Sequence, residues 1–368
     1  MNKNTITLVA SLLVLGLSFN SCKDTNKKVD SATENGSVEE QMDKTVYASD
    51  VIPFFENWKL ILGDGSNAGI ASNFENKDFF YTVNEDGENW VVFKAPNGGD
   101  THGTSNNTRT ELAQTKKWFP KTADDKLTAT LKVMNVSATG DARVAATHAV
   151  VVGQIHSADA FENEPLKIFY KKFPGHIKGS VFWHYEINTA GDNNAGRWDY
   201  SNAVWGNDFS VVGETADTYP AEPEDGIALG EEFSYEVVVK DGIMSLKFMS
   251  DGHETKTFTK NLLESEYTTK ADIPEQTKKL FFPIGQDGVE RKEAYTGEGL
   301  FFKLGTYNQT NGKSPDVNMN WCSGAETHGG DIQKQYADGN YAEVWFKTAT
   351  ISVSDAAVSN EGYFTKND

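Results

Sequence analysis

Cysteine is nearly absent from this sequence: two in 368 residues, Cys22 and Cys322. No CxxC pair, no HExxH and no His/Cys spacing of metal-ligand type occurs, and the seven histidines are scattered. A structural zinc site, a zincin helix and a disulfide-stapled scaffold are therefore excluded, and no metal or cofactor is expected. Basic charge is also short, with 34 Lys and Arg against 53 Asp and Glu and a formal net charge of −19. That composition argues against nucleic acid as a partner. It would also repel any polyanion unless a local basic cleft interrupts the acidic surface. Long helical periods and internal repeats are missing. So is an E-x-D-x-E strand, which would hold two carboxylates on one face about 5–9.5 Å apart for glycoside hydrolysis.

The apolar run TITLVASLLVLGLSF (5–19) is short for a membrane span. It follows Lys3 and ends in Asn20-Ser21-Cys22, so residues 1–21 read as a signal peptide. A small residue before cysteine resembles the lipobox of bacterial lipoproteins, with Phe19-Asn20 in place of its usual Leu-Ala/Ser. The resemblance implies lipidation of Cys22 and membrane contact only through that anchor. Attachment to the outer membrane, on either face, is expected, with plain secretion as the alternative. Residues 22–50 contain KDTNKKVDSATENGSVEEQMDKT (23–45), too poor in large apolar side chains to fold, and read as a disordered tether. A lipidated Cys22 leaves Cys322 without a disulfide partner, as a half-buried thiol beside Trp321.

Residues 51–368 read as one catalytic domain. Short β-type runs fill it, among them NWVVFKA (89–95), KLTATLKVMNV (126–136), HAVVVGQIH (148–156), LKIFYKKF (166–173), GSVFWHYEI (179–187), KLFFPIG (279–285) and YAEVWFKTATISVS (341–354). Asp241-Gly242 in VVVKDGIMSLKF marks a hairpin. The pattern predicts an all-β fold, a β-sandwich jelly roll of two antiparallel sheets. The 188–230 and 310–340 segments are long for hairpin loops, and long loops on a rigid sheet often line a cleft.

Three runs carry polar residues at i and i+2. Arg109 and Glu111 share a face in TRTEL, opposite Thr110 and Leu112. Gln154 and His156 share one in VVVGQIH, opposite Val151 and Ile155. Lys303, Tyr307 and Gln309 share one in FFKLGTYNQ (301–309), opposite Phe302 and Leu304. Residues two apart on a strand are about 6.5–7 Å apart, and neighbouring strands about 4.8 Å. If the three strands adjoin, Arg109, Gln154, His156 and Tyr307 can converge on one sugar ring. Singly, each also reads as a surface ion pair, a structural histidine or an amphipathic tyrosine.

In that order, RTEL (109–112), QIH (154–156) and FFKLGTYNQ resemble the three signature blocks of the alginate lyases of polysaccharide lyase family 7, approximately R-[ST]-E-L-R, Q-[IV]-H and Y-F-K-A-G-x-Y-x-Q. FENWKLILG (55–63), EPLKIFYKKFPGHIKGSVFWHYE (164–186) and AEVWFKTATISVS (342–354) support it, so the likeness runs from about Phe54 to Ser354. Ala113-Gln114 departs from the usual Arg after RTEL, Phe301 from Tyr and Leu304-Gly305 from Ala-Gly. The resemblance implies a monomeric lyase with a concave cleft for alginate. Such an enzyme removes the C5 proton of a uronate and expels the 4-O-glycosidic oxygen, leaving a C4–C5 double bond. Arg109 and Gln154 would neutralise the uronate carboxylate, with His156 completing the pocket. Tyr307 would carry the proton alone in a syn elimination. On guluronate, His156 would act as base and Tyr307 as acid. Lys303 would favour the Tyr307 phenolate and attract the polyanion, Glu111 would orient Arg109, and Gln309 and Arg197 would bind substrate. Arg143, Lys171 and Arg197 are candidates for a basic groove. QIH leans towards guluronate. A lyase for another polyuronate such as glucuronan stays open, as does a non-catalytic carbohydrate-binding jelly roll using exposed Trp183, Trp198 or Trp205. Endolytic or exolytic action is likewise open.

Overall fold

The computed structural model describes residues 45–53, 55–101, 105–158, 164–187, 198–263 and 299–365. The leader, the lipobox with Cys22, most of the tether, Arg197 and the KLFFPIG run lie outside the described residues. In chain order the strands are β1 (Trp58–Ile61), β2 (Asn67–Gly69), β3 (Phe80–Glu85), β4 (Glu88–Pro96), β5 (Arg109–Gln114), β6 (Lys116–Lys117), β7 (Asp124–Asn135), β8 (Ala149–Ser157), β9 (Leu166–Lys171), β10 (Lys178–Ile187), β11 (Trp198–Trp205), β12 (Ile227–Ala228), β13 (Glu232–Lys240), β14 (Ile243–Met249), β15 (Lys256–Asn261), β16 (Leu300–Asn308), β17 (Tyr341–Ser352) and β18 (Val358–Ser359). Helices among the described residues are short: α1 (Ala48–Val51), α2 (Ile332–Ala337) and α3 (Glu361–Thr365).

One antiparallel sheet runs β11-β10-β9-β8-β16-β5-β1-β2, with β12 paired to β10; the other runs β15-β14-β13-β7-β17-β4-β3. A small ribbon joins β18 to β6. The second sheet behaves as its alternating sequence requires. In β7, Leu127, Ala129, Leu131 and Val133 point inward, and in β13 so do Phe233, Tyr235, Val237 and Val239. They meet Val150, Val152, Ile155, Ile168, Tyr170, Val181 and Trp183 of the first sheet in one apolar core. The hairpin at Asp241-Gly242 has positive φ at both residues, 48° and 81°, as a two-residue turn of this twist demands.

The first sheet differs: β5 and β9 are buried at every position, and β8 and β16 at all but one. Its outer face is therefore covered too, and that face carries the polar residues. Two bulges aim them. Along β8 the register against β9 shifts between Val151 and Gly153. Val150, Val152 and Ile155 face the core, while Val151 joins Phe169 and Phe182 on the outer face. This corrects the simple alternation, which set Val151 opposite Gln154. Tyr235 reaches across the core to fix the bulge, its hydroxyl donating to the Val152 carbonyl at 3.1 Å. A Cβ on Gly153 would stand 2.5 Å from that hydroxyl oxygen. In β16 the shift lies between Leu304 and Tyr307. Gly305 there has φ 140°, and a Cβ on it would lie 2.4 Å from the Thr110 carbonyl oxygen.

Other expectations change with the structure. Part of the supposed 188–230 loop is strand β11, and the 310–340 segment contains α2. Trp183 and Trp205 are 1% exposed, so neither is a sugar platform. Cys322 is a free, buried thiol, and burial raises its pKa.

Candidate active site

The three polar runs occupy adjacent strands. In the register of β5 with β16, Arg109 faces Tyr307, Glu111 faces Gly305 and Ala113 faces Lys303. In that of β16 with β8, Lys303 faces Gln154 and Phe301 faces His156. The sheet thus brings Arg109, Gln154, His156 and Tyr307 onto one face. Tyr307 and His156 lie at opposite ends of this patch, and Arg109 links them. Its guanidinium carbon lies 3.8 Å from the Tyr307 ring centroid, and its charge bears on His156.

Beneath the patch Glu111, 1% exposed, is the common partner. Lys303 Nζ lies 2.7 Å from Glu111 Oε2, and Arg109 Nη1 lies 3.6 Å from the same oxygen. Gln154 Nε2 donates to Glu111 Oε1. Two cations share one carboxylate, which leaves a positive charge in excess at this point. Arg109 Nε and Gln154 Oε1 are buried and have no hydrogen-bond partner among the described residues. An arginine donor and an amide acceptor, both held to Glu111, suit a ligand that both accepts and donates. Burial opposes the charge on Arg109, but the fields of Tyr307 and then Glu111 outweigh it and hold its pKa above the ordinary value. Lys303 is fully buried and tied to Glu111, so the cation beside Tyr307 is Arg109, not Lys303. The Tyr307 hydroxyl is 3.3 Å from Ser105 Oγ. Gln309, also buried, donates from Nε2 to the Tyr307 carbonyl at 3.3 Å.

The imidazole of His156 is oriented at both ring nitrogens. Nδ1 lies 2.7 Å from the Ser157 carbonyl oxygen, which can only accept, so Nδ1 carries the hydrogen and Nε2 the lone pair. Nε2 faces Glu164 Oε1 at 3.5 Å. Burial pulls the imidazole pKa down to about 4, helped by Lys303 and Arg109 and opposed by Glu164 and the Ser157 carbonyl. Glu164 in turn is 3.1 Å from Lys167 Nζ, which is 3.0 Å from Glu186 Oε2. The expected open basic groove is thus a paired floor. Arg143 is forked onto Asp141, and Lys171 is buried, donating to the Ala145 and Val211 carbonyls at 2.8 and 3.1 Å.

Reading i and i+2 polar pairs missed Glu164, which stands two residues ahead of β9, and Tyr363 of α3, whose ring centroid is 5.5 Å from that of His156. Glu164 stands in a stretch already quoted, EPLK, three positions before Lys167, the next polar side chain on that face of β9. No periodic signal marked either.

A family model described as alginate lyase matches residues 52–353. An alginate lyase of Klebsiella pneumoniae is 28% identical over 280 residues, 67% of this chain and 76% of that protein. Among solved structures, the exolytic PL7 alginate lyase AlyA5 from Zobellia galactanivorans is 62% identical, with a TM-score of 0.80 over 84% of this chain and 99% of that one. The crystal structure of the Klebsiella pneumoniae alginate lyase, 22% identical, shares the fold, with a TM-score of 0.55 over 82% of this chain and 96% of that one. The chain belongs to the alginate lyase family, polysaccharide lyase family 7, and is a polysaccharide lyase.

Proposed function

We propose that this lyase cleaves alginate by β-elimination, accepts guluronate and works from a chain end. The observation that carries the reaction is the neutral, oriented His156 in one patch with the Arg109–Tyr307 stack. A uronate carboxylate set against Arg109 and Gln154 loses the charge that keeps its C5 proton from leaving. His156 Nε2 takes that proton, the electron pair forms the C4–C5 double bond, and the C4–O bond breaks. Tyr307 gives its phenolic proton to the departing oxygen. Glu164 faces the imidazolium that forms, and Glu111 keeps the arginine in place. Guluronate, whose C5 proton and C4 oxygen lie on opposite faces of the ring, needs a base and an acid that are separate residues, and this reading supplies them as His156 and Tyr307. Exolytic action is supported by the 62% identity to an enzyme described as exolytic. Attachment through a lipid on Cys22 accompanies this reading and rests on the lipobox alone.

The test is ultraviolet absorbance of the conjugated enoate on separate polyguluronate, polymannuronate and glucuronan, with Tyr307→Phe beside the native enzyme. A rise on polyguluronate that falls about 10²–10⁴-fold in Tyr307→Phe, with viscosity lagging bond cleavage, is expected. A rise on glucuronan alone would replace the substrate, and a rapid viscosity drop would replace exolytic action by endolytic.

A further inference from the structure

Tyr363 lies beyond residues 52–353, the span that matches the family, yet its ring belongs to the aromatic surround of His156. The imidazole centroid is 5.4 Å from Phe301 at an interplanar angle of 39°, and 5.5 Å from Tyr363 at 63°. Tyr363 and Phe301 are 4.6 Å apart, which closes a three-ring cluster.

The helix that bears it is anchored at several points. The β18–β6 ribbon pairs Val358 with Lys117 and Ser359 with Lys116. Buried Asn360 donates from its backbone to the Thr115 carbonyl at 2.9 Å and from Nδ2 to the Gln114 carbonyl at 3.2 Å. Glu361 Oε2 meets Lys59 Nζ at 2.6 Å. Phe364, 1% exposed, packs with Ala113, Ala158 and Phe301, residues of β5, β16 and the end of β8. Ala113 matters here, because a small side chain on β5 leaves room for Phe364. So α3 is seated across three strands of the floor sheet, and Tyr363 is the residue it turns towards the base.

We propose that Tyr363 is a positioning residue for the lyase reaction, holding the imidazole of His156 against Phe301 and keeping water from its edge. The proposal rests on the reading that His156 removes the C5 proton. Its physical content is testable apart from that reading, because ring exclusion of water acts on the titration of His156 whether or not the residue is the base. The groups facing His156 are Lys303 from β16, Arg109 from β5, Glu164 ahead of β9 and Tyr363 from α3. Only the last is altered by the test, so the opposing fields stay in place. Loss of the ring readmits water, relieves the burial that disfavours the imidazolium, and raises the proton affinity of His156.

The experiment is an NMR titration of the His156 imidazole in the native enzyme, Tyr363→Phe and Tyr363→Ala, with the pH profile of kcat/KM recorded on polyguluronate. Tyr363→Phe keeps the ring and should titrate like the native protein. Tyr363→Ala should raise the His156 midpoint by about one pH unit or more, and the acid limb of kcat/KM should move up with it. If Tyr363→Ala fails to fold, Tyr363→Val fills less of the space and still opens the imidazole edge to water, and its midpoint should rise in the same direction. An unchanged midpoint in the folded variants would overturn the proposal. A midpoint that moves while the acid limb stays would sustain the proposal and overturn His156 as the base.

Discussion

The guanidinium carbon of Arg109 lies over the ring of Tyr307, 3.8 Å from its centroid, while Nη1 reaches back 3.6 Å to Glu111. One planar cation thus serves two neighbours on different strands. A lysine would keep the charge but has no plane to stack and no fork to present. Arg109→Lys is expected to lower kcat/KM for enoate formation by about 10²-fold, the order lost when a reacting group is misplaced. Near-native rates in that variant would mean that charge alone suffices.

On the proposed mechanism, in which His156 acts as a neutral base, the acid limb of kcat/KM is expected near pH 4, not near 6.5, because burial lowers its pKa to about 4. Stability follows the same sign. Unfolded histidine titrates near 6.5, so on acidification the unfolded chain takes up protons before the folded one does. The contribution is fully present above about 6.5 and is lost as pH falls through about 4. His148, with Nδ1 2.7 Å from the Ser137 carbonyl and pulled down to about 4 by burial, adds to it. Melting temperatures from pH 7 to 4 should fall less steeply in His156→Gln, and less steeply again when His148→Gln is added.

Breaking the buried Lys303–Glu111 pair should be costly. Glu111→Gln leaves two cations without their shared anion and is expected to cost about 3–5 kcal/mol. Combined with Lys303→Met, the loss should be smaller than the sum of the two single losses. Denaturant unfolding of the four proteins gives the coupling; strict additivity would show that the pair is electrostatically idle.

Gly153→Ala should destabilise the fold by about 1–3 kcal/mol, since the new methyl meets the Tyr235 hydroxyl at 2.5 Å. In a Tyr235→Phe background the same change should cost less, because the obstructing oxygen is gone. Equal costs in both backgrounds would place the strain elsewhere.

Most of the sandwich was legible because the second sheet alternates, as in β7 and β13, and because Asp241-Gly242 fits a tight hairpin. Arg109, Gln154, His156 and Tyr307 were legible as polar residues where apolar ones would pack. Their register was not, since a bulge moves every later side chain to the other face, and β8 takes its bulge from Tyr235, some 80 residues on in sequence. The internal pairing of the floor also escaped reading. Lys303 stands with Tyr307 in the same strand but bonds to Glu111, a choice made by cross-strand geometry. Tyr363 could not be found from the signature blocks at all, because it comes to His156 from outside them.

That placement of α3 bears on how such an enzyme is tuned. Among the described residues, the segment after the family-matched span pairs only with the short strand β6 and adds no strand to either main sheet. Through Tyr363 it reaches the ring of His156, so on the reading proposed above the pH range of such a lyase can be tuned from outside its signature blocks. Trimming this protein to its family-matched span would leave the blocks intact and remove that contact.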